Sequence, residues 1–314
     1  KVAPALAEGK SVVVKPSSLA PLSTLSLIRL IHEAGCPPGW VNAVVVPSPI
    51  AQKMALDERV AKVSFTGSPA VGWMLKEKLP TKRVTLELGG DAAAIIAEDA
   101  DLDWAIPRIA AGAYGYAGQV CIAVQHVWAH RSRYDEAKHE LIKATIDCPS
   151  GDPRAESTVC GPLITSAEAD RAMEWIAEAQ TKGAQLLAGG TRTGNVVAPT
   201  LLEGVSDESR LGCEEVFGPV LTLRPYADIA EPITHINASP YGIHTGVFTQ
   251  NDALAQRAFE KLNVGGVVID DFPTLRFDVL PYGGVRKSGF GREGIQYAIE
   301  EMTELRSLVR RVRS

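Results

Sequence analysis

The chain has 314 residues and a formal net charge of −5, and it is 46% hydrophobic and 22% charged. That balance belongs to a globular protein with room for two domains and excludes a disordered or fibrous chain. Without a basic excess there is no field to hold a polyphosphate backbone, so nucleic acid is excluded as the main partner. No apolar run approaches the roughly 20 residues that cross a bilayer, and KVAPALAEGKSVVVK lacks the charged, apolar, small-residue order of a signal peptide; a cytoplasmic location without membrane attachment is expected.

From residue 10 the pattern runs SVVVK as a strand, PLSTLSLIRLIHEAG as an amphipathic helix and VNAVVV as a second strand. Pro21 opens that helix, and Gly35, followed by Pro37 and Pro38, sits where a left-handed cap ends it. A short helix from Ile50, the strand VAKVSF, a helix through AVGWMLKEKL and the strand RVTLEL follow. Such alternation implies βαβ crossovers and a parallel sheet. After GGDAAAIIAEDADLD, to which this reading assigns no strand, the pattern resumes with a helix near 101–115, a strand around Val127–Ala129 and a helix over Tyr134–Ile146. TSAEADRAMEWIAEAQTKG then places Thr165 and Glu168 at capping-box spacing and stops at Gly183. Strands near 218–225, 244–249 and 265–270 complete a second α/β portion, with the boundary near residue 92. The tail TELRSLVRRVRS alternates apolar and basic residues like an exposed edge strand, which predicts pairing with another sheet, including across a subunit interface.

Neither a disulfide framework nor a metal site is expected. Cys36, Cys121, Cys148, Cys160 and Cys213 show no C-x-x-C spacing, and His126 and His130 share a strand face without a third ligand nearby. The chemistry points elsewhere. In VSFTGSPAVG (63–72) a strand turns into a helix whose first N–H groups and positive dipole end make a phosphate site. The same residues also read as an ordinary strand-to-helix turn with Ser68 as N-cap. Lys15 ends a different strand, at the sheet edge where open α/β folds bind ligands, and the two features together point to a nucleotide. RVTLELGG places Glu87 before Gly89 and Gly90, where a carboxylate either caps its loop or does chemistry. YGYAGQVCIAVQ (114–125) places Cys121 in the setting of a small buried hydrophobe or of a nucleophile. Paired, the two residues make chemical sense: a nearby carboxylate takes the thiol proton and later activates water against a thioester.

FTGSPAVG, LELGG, GQVC, EEVFGPV (214–220) and LPYGGVRKSGFGREG (280–294) stand in the order and approximate spacing of the NAD(P)-dependent aldehyde dehydrogenase superfamily, which the chain resembles over practically its whole length. The resemblance implies two α/β domains with open, mostly parallel sheets: residues 1–92 as the C-terminal part of an incomplete NAD(P)-binding domain, 93–292 as the catalytic thiol domain, and 293–314 as a returning helix and oligomerisation strand. It implies oxidation of a small-molecule aldehyde to a carboxylate with NAD or NADP, through a Cys121 thiohemiacetal and thioester that Glu87 clears by activating water. Lys15 and Ser18 then correspond to positions at the adenosine ribose, Ser68 and Val71 to positions near pyrophosphate and adenine, Leu88 to a cofactor contact beside the base, and Glu215 and Phe217 to contacts with the nicotinamide ribose and ring. No metal is implied, and the full-length protein is expected to be a homodimer or homotetramer.

Departures from the family pattern carry expectations of their own. A Trp/Phe-Asn-Phe-Pro segment whose Asn supplies a second oxyanion donor is expected before KVAPALAEGK. Losing one such donor is worth ~10²–10³ in rate, so the chain as written is expected to be a fragment with weak or no activity. Two alternatives stand beside the main reading: an impaired NAD(P)-binding or interaction protein, and a CoA-acylating enzyme. Neutral Ser18, where many NAD-preferring members carry Glu, is compatible with NADP. VVVPSPIAQ lacks glycines that often follow this strand, and Asp91 replaces the commoner Lys or Asn. Tyr116, Gln125 and PTLRFD are expected near the aldehyde entrance, where Arg276 either meets an anionic substrate end or is a solvated surface arginine. The motifs look like the branch of lactaldehyde and non-phosphorylating glyceraldehyde-phosphate enzymes.

Overall fold

The protein is described here by a computed structural model covering residues 1–312. Its first lobe runs α1 (Val2–Ala7), β1 (Val12–Val14), α2 (Leu22–Glu33), β2 (Val41–Ala43), α3 (Ser48–Leu56), β3 (Lys62–Thr66), α4 (Pro69–Lys78) and β4 (Arg83–Glu87). β1 pairs with β2 and β3 with β4, both in parallel, but the pairs belong to separate sheets. Pro21 stands at the N-cap of α2, and Gly35 beyond its end takes φ +90°, as the turn pattern predicts. α2 buries Ile28 alone, leaving Leu22, Leu25, Leu27 and Leu30 exposed. A small core of Leu79, Val84, Leu86 and Leu88, backed by Val63, Phe65 and Trp73, joins α4 to the β3–β4 pair.

The second lobe holds β5 (Ala93–Ile96), α5 (Leu102–Tyr114), β6 (His126–His130), α6 (Tyr134–Asp147), α7 (Ser166–Thr181), β7 (Gln185–Ala188), β8 (Arg192–Thr193), β9 (Val196–Val197) and β10 (Thr200–Glu203). It continues with α8 (Arg210–Cys213), β11 (Val220–Tyr226), α9 (Ala230–Ala238), β12 (His244–Phe248), α10 (Asp252–Lys261) and β13 (Gly266–Ile269). Seven of these strands form one sheet in the order β13-β12-β5-β6-β11-β10-β7, parallel except for β7. β8 and β9 form a separate hairpin.

Helices cover both faces of that sheet. Ala94 and Ile96 of β5 pack with Leu102, Ile106 and Ile109 of α5 and Leu141 of α6. Ala93 and Ile95 point the other way, to Ile233 and Ile236 of α9 and Ala258 of α10. This is why AAII was read without a strand: a strand buried on both sides shows no alternation. α7 begins where expected, with the Thr165 hydroxyl accepting from the Glu168 N–H at 3.3 Å. Only this half of the capping box forms, because the Glu168 carboxylate turns to Arg171 at 2.8 Å. The short helix expected from Ile50 starts two residues earlier, with Pro49 in its first turn.

The chain then returns to the first lobe. β14 (Gly289–Phe290) pairs antiparallel with β4, and α11 (Ile295–Glu301) follows. The first lobe thus draws on chain that lies before the expected boundary at 292. Residues 303–312 carry no strand pairing in the single chain, and Leu305, Leu308, Val309 and Val312 are exposed. Among the described residues no helix is long and apolar enough to cross a membrane.

Candidate active site

α5 ends at Tyr114, and the chain reaches Cys121 through a turn in which Tyr116, Ala117 and Gly118 all take left-handed backbone, φ +54°, +56° and +67°. Two of these are not glycine, and such residues cost on the order of 1–3 kcal/mol each unless their surroundings enforce them. The enforcement is visible. A Cβ at Gly118 would lie 2.2 Å from the Gly218 carbonyl oxygen, and Gln119 accepts a hydrogen bond from the Ile164 N–H at 2.9 Å.

The loop after β4 lies against this turn. A Cβ at Gly90 would meet the Cys121 carbonyl at 2.6 Å, and one at Gly89 would strike the Glu215 carboxylate at 1.9 Å. Only glycines permit both approaches, so LELGG, GQVC and EEVFGPV converge at one point. Glu87, the last residue of β4, is 3% exposed, and neither carboxylate oxygen has a hydrogen-bond partner. Burial pushes its pKa up to about 8, helped by Glu293 and opposed by Lys1, Arg276 and Arg292. Glu215 accepts from the Gly90 N–H at 2.9 Å and is pushed up to about 7, first by burial. Asp91, unexplained in the sequence, is a half-buried carboxylate that accepts a hydrogen bond from the Ser239 hydroxyl at 2.6 Å and is raised to about 6 by desolvation. Burial likewise raises the Cys121 thiol, as do Glu87 and Glu215, while a hydrogen bond with Tyr282 lowers it. Perturbed acids gathered around a thiol are the electrostatic mark of a functional site.

Phe217 sits in left-handed backbone, φ +45°, with a partly exposed side chain. Its loop is held by Gln125, whose side-chain oxygen accepts from the Val216 N–H at 2.9 Å and whose amide donates to the Glu214 carbonyl at 2.7 Å. That corrects the expectation of Gln125 at the aldehyde entrance: it is buried, with its amide spent as a clamp. Arg171 adds a bond to the Val216 carbonyl at 2.8 Å. Tyr116 is exposed.

The remaining candidates lie on the first lobe. Lys15 directly follows β1 and makes no ion pair among the described residues, and the exposed Ser18 hydroxyl makes no hydrogen bond there. Ser68 occupies the N-cap position of α4, yet its side chain makes no cap bond, so the first turn of that ten-residue helix stays open beside exposed Val71. The Gly67 N–H donates to the Glu87 carbonyl at 3.1 Å, which sets this turn next to Glu87. Leu88 is buried beneath α4, where a Cβ on Gly72 would meet it at 2.4 Å. Sequence reasoning passed over two groups: Tyr282, whose hydroxyl lies 3.1 Å from the Cys121 sulfur, and the Gln125 clamp. The tyrosine stood inside LPYGGVRKSGFGREG, but nothing local told where its hydroxyl would point. Among the described residues no three His, Cys, Asp or Glu side chains gather to hold a metal ion.

The chain is two-lobed and α/β, with a thiol, a buried carboxylate and an open helix N-terminus drawn together. The chain belongs to the aldehyde dehydrogenase family, whose model matches residues 1–308. It is 40% identical over 310 residues to 3-sulfolactaldehyde dehydrogenase of Priestia aryabhattai, covering 98% of this chain and 65% of that protein. To lactaldehyde dehydrogenase of Methanococcus aeolicus it is 36% identical over 314 residues, covering 98% and 67%. Aldehyde dehydrogenase 21 from Physcomitrella patens, solved with its reaction product succinate, superposes with a TM-score of 0.94 at 40% identity, covering 97% of this chain and 64% of that one. Glyceraldehyde-3-phosphate dehydrogenase from Methanocaldococcus jannaschii, complexed with NADP, gives 0.92 at 36% identity, covering 96% and 67%. The chain thus spans about two thirds of the length of the proteins it matches.

Proposed function

We propose that this chain is the thiol-bearing part, with a portion of the cofactor site, of an NAD(P)-dependent aldehyde dehydrogenase that oxidises a small aldehyde with an anionic end to its carboxylate. The observation that carries the reading is Glu87, a buried carboxylate without a partner, followed by a glycine loop that packs on the Cys121 carbonyl. The open first turn of α4 with unpaired Lys15 fits a dinucleotide, and neutral Ser18 admits NADP as well as NAD. Ser68 and Val71 would border the pyrophosphate and adenine, Leu88 the nicotinamide side, and Glu215 and Phe217 the nicotinamide ribose and ring. When bound, the cofactor supplies a hydride acceptor.

Cys121 gives its proton to the ionised Glu87 carboxylate or to water beside it, its sulfur attacks the aldehyde carbon, and the resulting oxyanion takes up a proton to give a thiohemiacetal. The Cys121 N–H donates to no other residue among the described ones, which leaves it for the developing oxyanion. After oxidation the adduct is a thioester on Cys121. Glu87 takes a proton from water, the hydroxide attacks the thioester carbon, and the carboxylate product leaves as the thiol is restored. Because Glu87 holds its proton up to about pH 8, this last step speeds up as pH rises through that value.

The anionic substrate end rests on Arg276. Its guanidinium lies 4.1 Å over the Tyr282 ring and makes no hydrogen bond among the described residues, with Asp278 and Glu293 no nearer than 3.8 and 4.0 Å. Relatives named for sulfolactaldehyde, aspartate semialdehyde and sulfoacetaldehyde support the same class. The exposed apolar-basic tail supports assembly as a homodimer or homotetramer.

The test uses the full-length protein with a carboxylate-bearing aldehyde and its uncharged analogue of equal length. Cys121→Ser is expected to abolish turnover. Glu87→Gln is expected to keep one burst of reduced cofactor while acid release slows ~10²–10⁴-fold. The charged aldehyde is expected to show the higher kcat/KM. Full turnover in the Ser variant overturns the enzyme assignment, and preference for the uncharged aldehyde overturns the substrate class.

A further inference from the structure

We propose that the Tyr282 phenol donates a hydrogen bond to the Cys121 thiolate and is a further catalytic residue of this site, acting on the reacting sulfur itself. The hydroxyl lies 3.1 Å from the sulfur and has no other hydrogen-bond partner among the described residues. A hydroxyl with no second partner, on a side chain buried to 5% exposure, loses its only compensation if that contact is removed.

The ring is fixed on several sides, so the aim of the hydroxyl is not incidental. Tyr282 and Glu293 exchange backbone hydrogen bonds at 2.9 and 2.7 Å, which pins the backbone. His244 meets the ring edge-on at 5.2 Å, itself held by the Pro273 carbonyl at 3.0 Å. The Arg276 guanidinium covers a ring face at 4.1 Å. Ile122 and Ile243 complete an apolar cluster with Tyr282 beside Cys121.

The surroundings explain why such a donor is needed. The acids acting on the sulfur, Glu87 at the end of β4 and Glu215 after α8, both oppose its ionisation, and so does burial. Facing the phenol are Cys121, Glu87, His244 and Arg276, and burial together with Cys121 holds the phenol in its protonated, donating form. Tyr282 is therefore the side chain that favours the thiolate. A hydrogen bond to an ionised sulfur is charge-assisted and stronger than one to the neutral thiol, so the contact selects the reactive state. No covalent step is added: the phenol keeps its proton and the thiol gives up its own.

The inference rests on Cys121 being the nucleophile, and its test is built to fail separately. In the full-length protein, alkylation of Cys121 by iodoacetamide is followed against pH by peptide mass, which needs no turnover. Tyr282→Phe keeps the ring and its packing, and is expected to move the alkylation midpoint up by about 1–2 pH units, ~10–100-fold slower at neutral pH. Exposed Cys213 in the same sample is expected to be unchanged. As a second variant, 3-fluorotyrosine incorporated at Tyr282 makes a stronger donor and is expected to move the midpoint down. A Cys121 midpoint unmoved by both changes overturns the proposal while leaving the enzyme assignment intact. Turnover by Cys121→Ser overturns the assignment whatever the alkylation profile shows.

Discussion

The two lobes bury their apolar residues in opposite ways. In the second, β5 sends Ala94 and Ile96 to one helical layer and Ala93 and Ile95 to the other, and all four are buried. In the first, β1–β2 and β3–β4–β14 are separate sheets, and α2 faces solvent with most of its leucines. Cohesion therefore resides in the lobe that carries the thiol, while the lobe that carries Lys15 and Ser18 holds few of its own contacts. Glu87 stands at the end of a first-lobe strand, enclosed by the returning segment that pairs with it, while the glycine loop that follows it packs on Cys121 of the second lobe.

The sharpest way to break this contrast is a pair of truncations. Ile95→Ala removes a fully buried side chain and is expected to cost about 2–5 kcal/mol in urea denaturation, whereas Leu27→Ala on exposed α2 is expected to stay within about 0.5 kcal/mol. Equal losses would mean that the first lobe is as tightly built as the second.

A second test exploits Glu87. Its pKa stands at about 8 in the folded protein against an ordinary 4.5, so the native state holds a proton that the unfolded chain releases between those values. The contribution of this group to stability is full below the lower value and lost as pH rises through the upper one. Glu87→Gln cannot ionise, and is expected to match the native protein near about pH 4 and exceed its stability by a few kcal/mol near about pH 9. Identical pH profiles for the two proteins would show that the carboxylate is solvated rather than enclosed.

The smallest effect compares two helix starts. Thr165 caps α7 through its hydroxyl and Ser68 does not cap α4. Thr165→Ala is expected to cost about 1 kcal/mol in thermal unfolding. Ser68→Ala is expected to leave stability unchanged and to weaken dinucleotide binding in a fluorescence titration. A stability loss at Ser68 would make it a structural cap after all.

What could be read in the chain follows from the same physics. α2, α4, α5 and α7 were legible because one face of each is polar and because prolines, glycines or a threonine mark their ends. β5 was not, since burial on both faces erases the period of two, and the strands at 185–188 and 200–203 went unassigned. Glu87 and Cys121 were picked out as a carboxylate and a thiol whose chemistries pair, and Glu215 only through its motif; that their loops touch is a fact of the fold. The Tyr282 contact spans most of the second lobe, and only the fold makes it. Gln125 was misplaced because side-chain type alone does not distinguish an amide that meets substrate from one that clamps a loop.

The pairing of β14 with β4 has a consequence for how the site comes into being. Register sets Gly289 opposite Glu87, and a Cβ on Gly283 would lie 3.0 Å from an oxygen of the same carboxylate. During synthesis the carboxylate leaves the ribosome long before the strand that encloses it, as does Cys121 before Tyr282. Contacts so distant in sequence form late. A nascent chain that stops short of residues 282–290 therefore carries an ordinary, hydrated acid and a thiol without its tyrosine contact, and both take up their folded surroundings only after that segment has emerged.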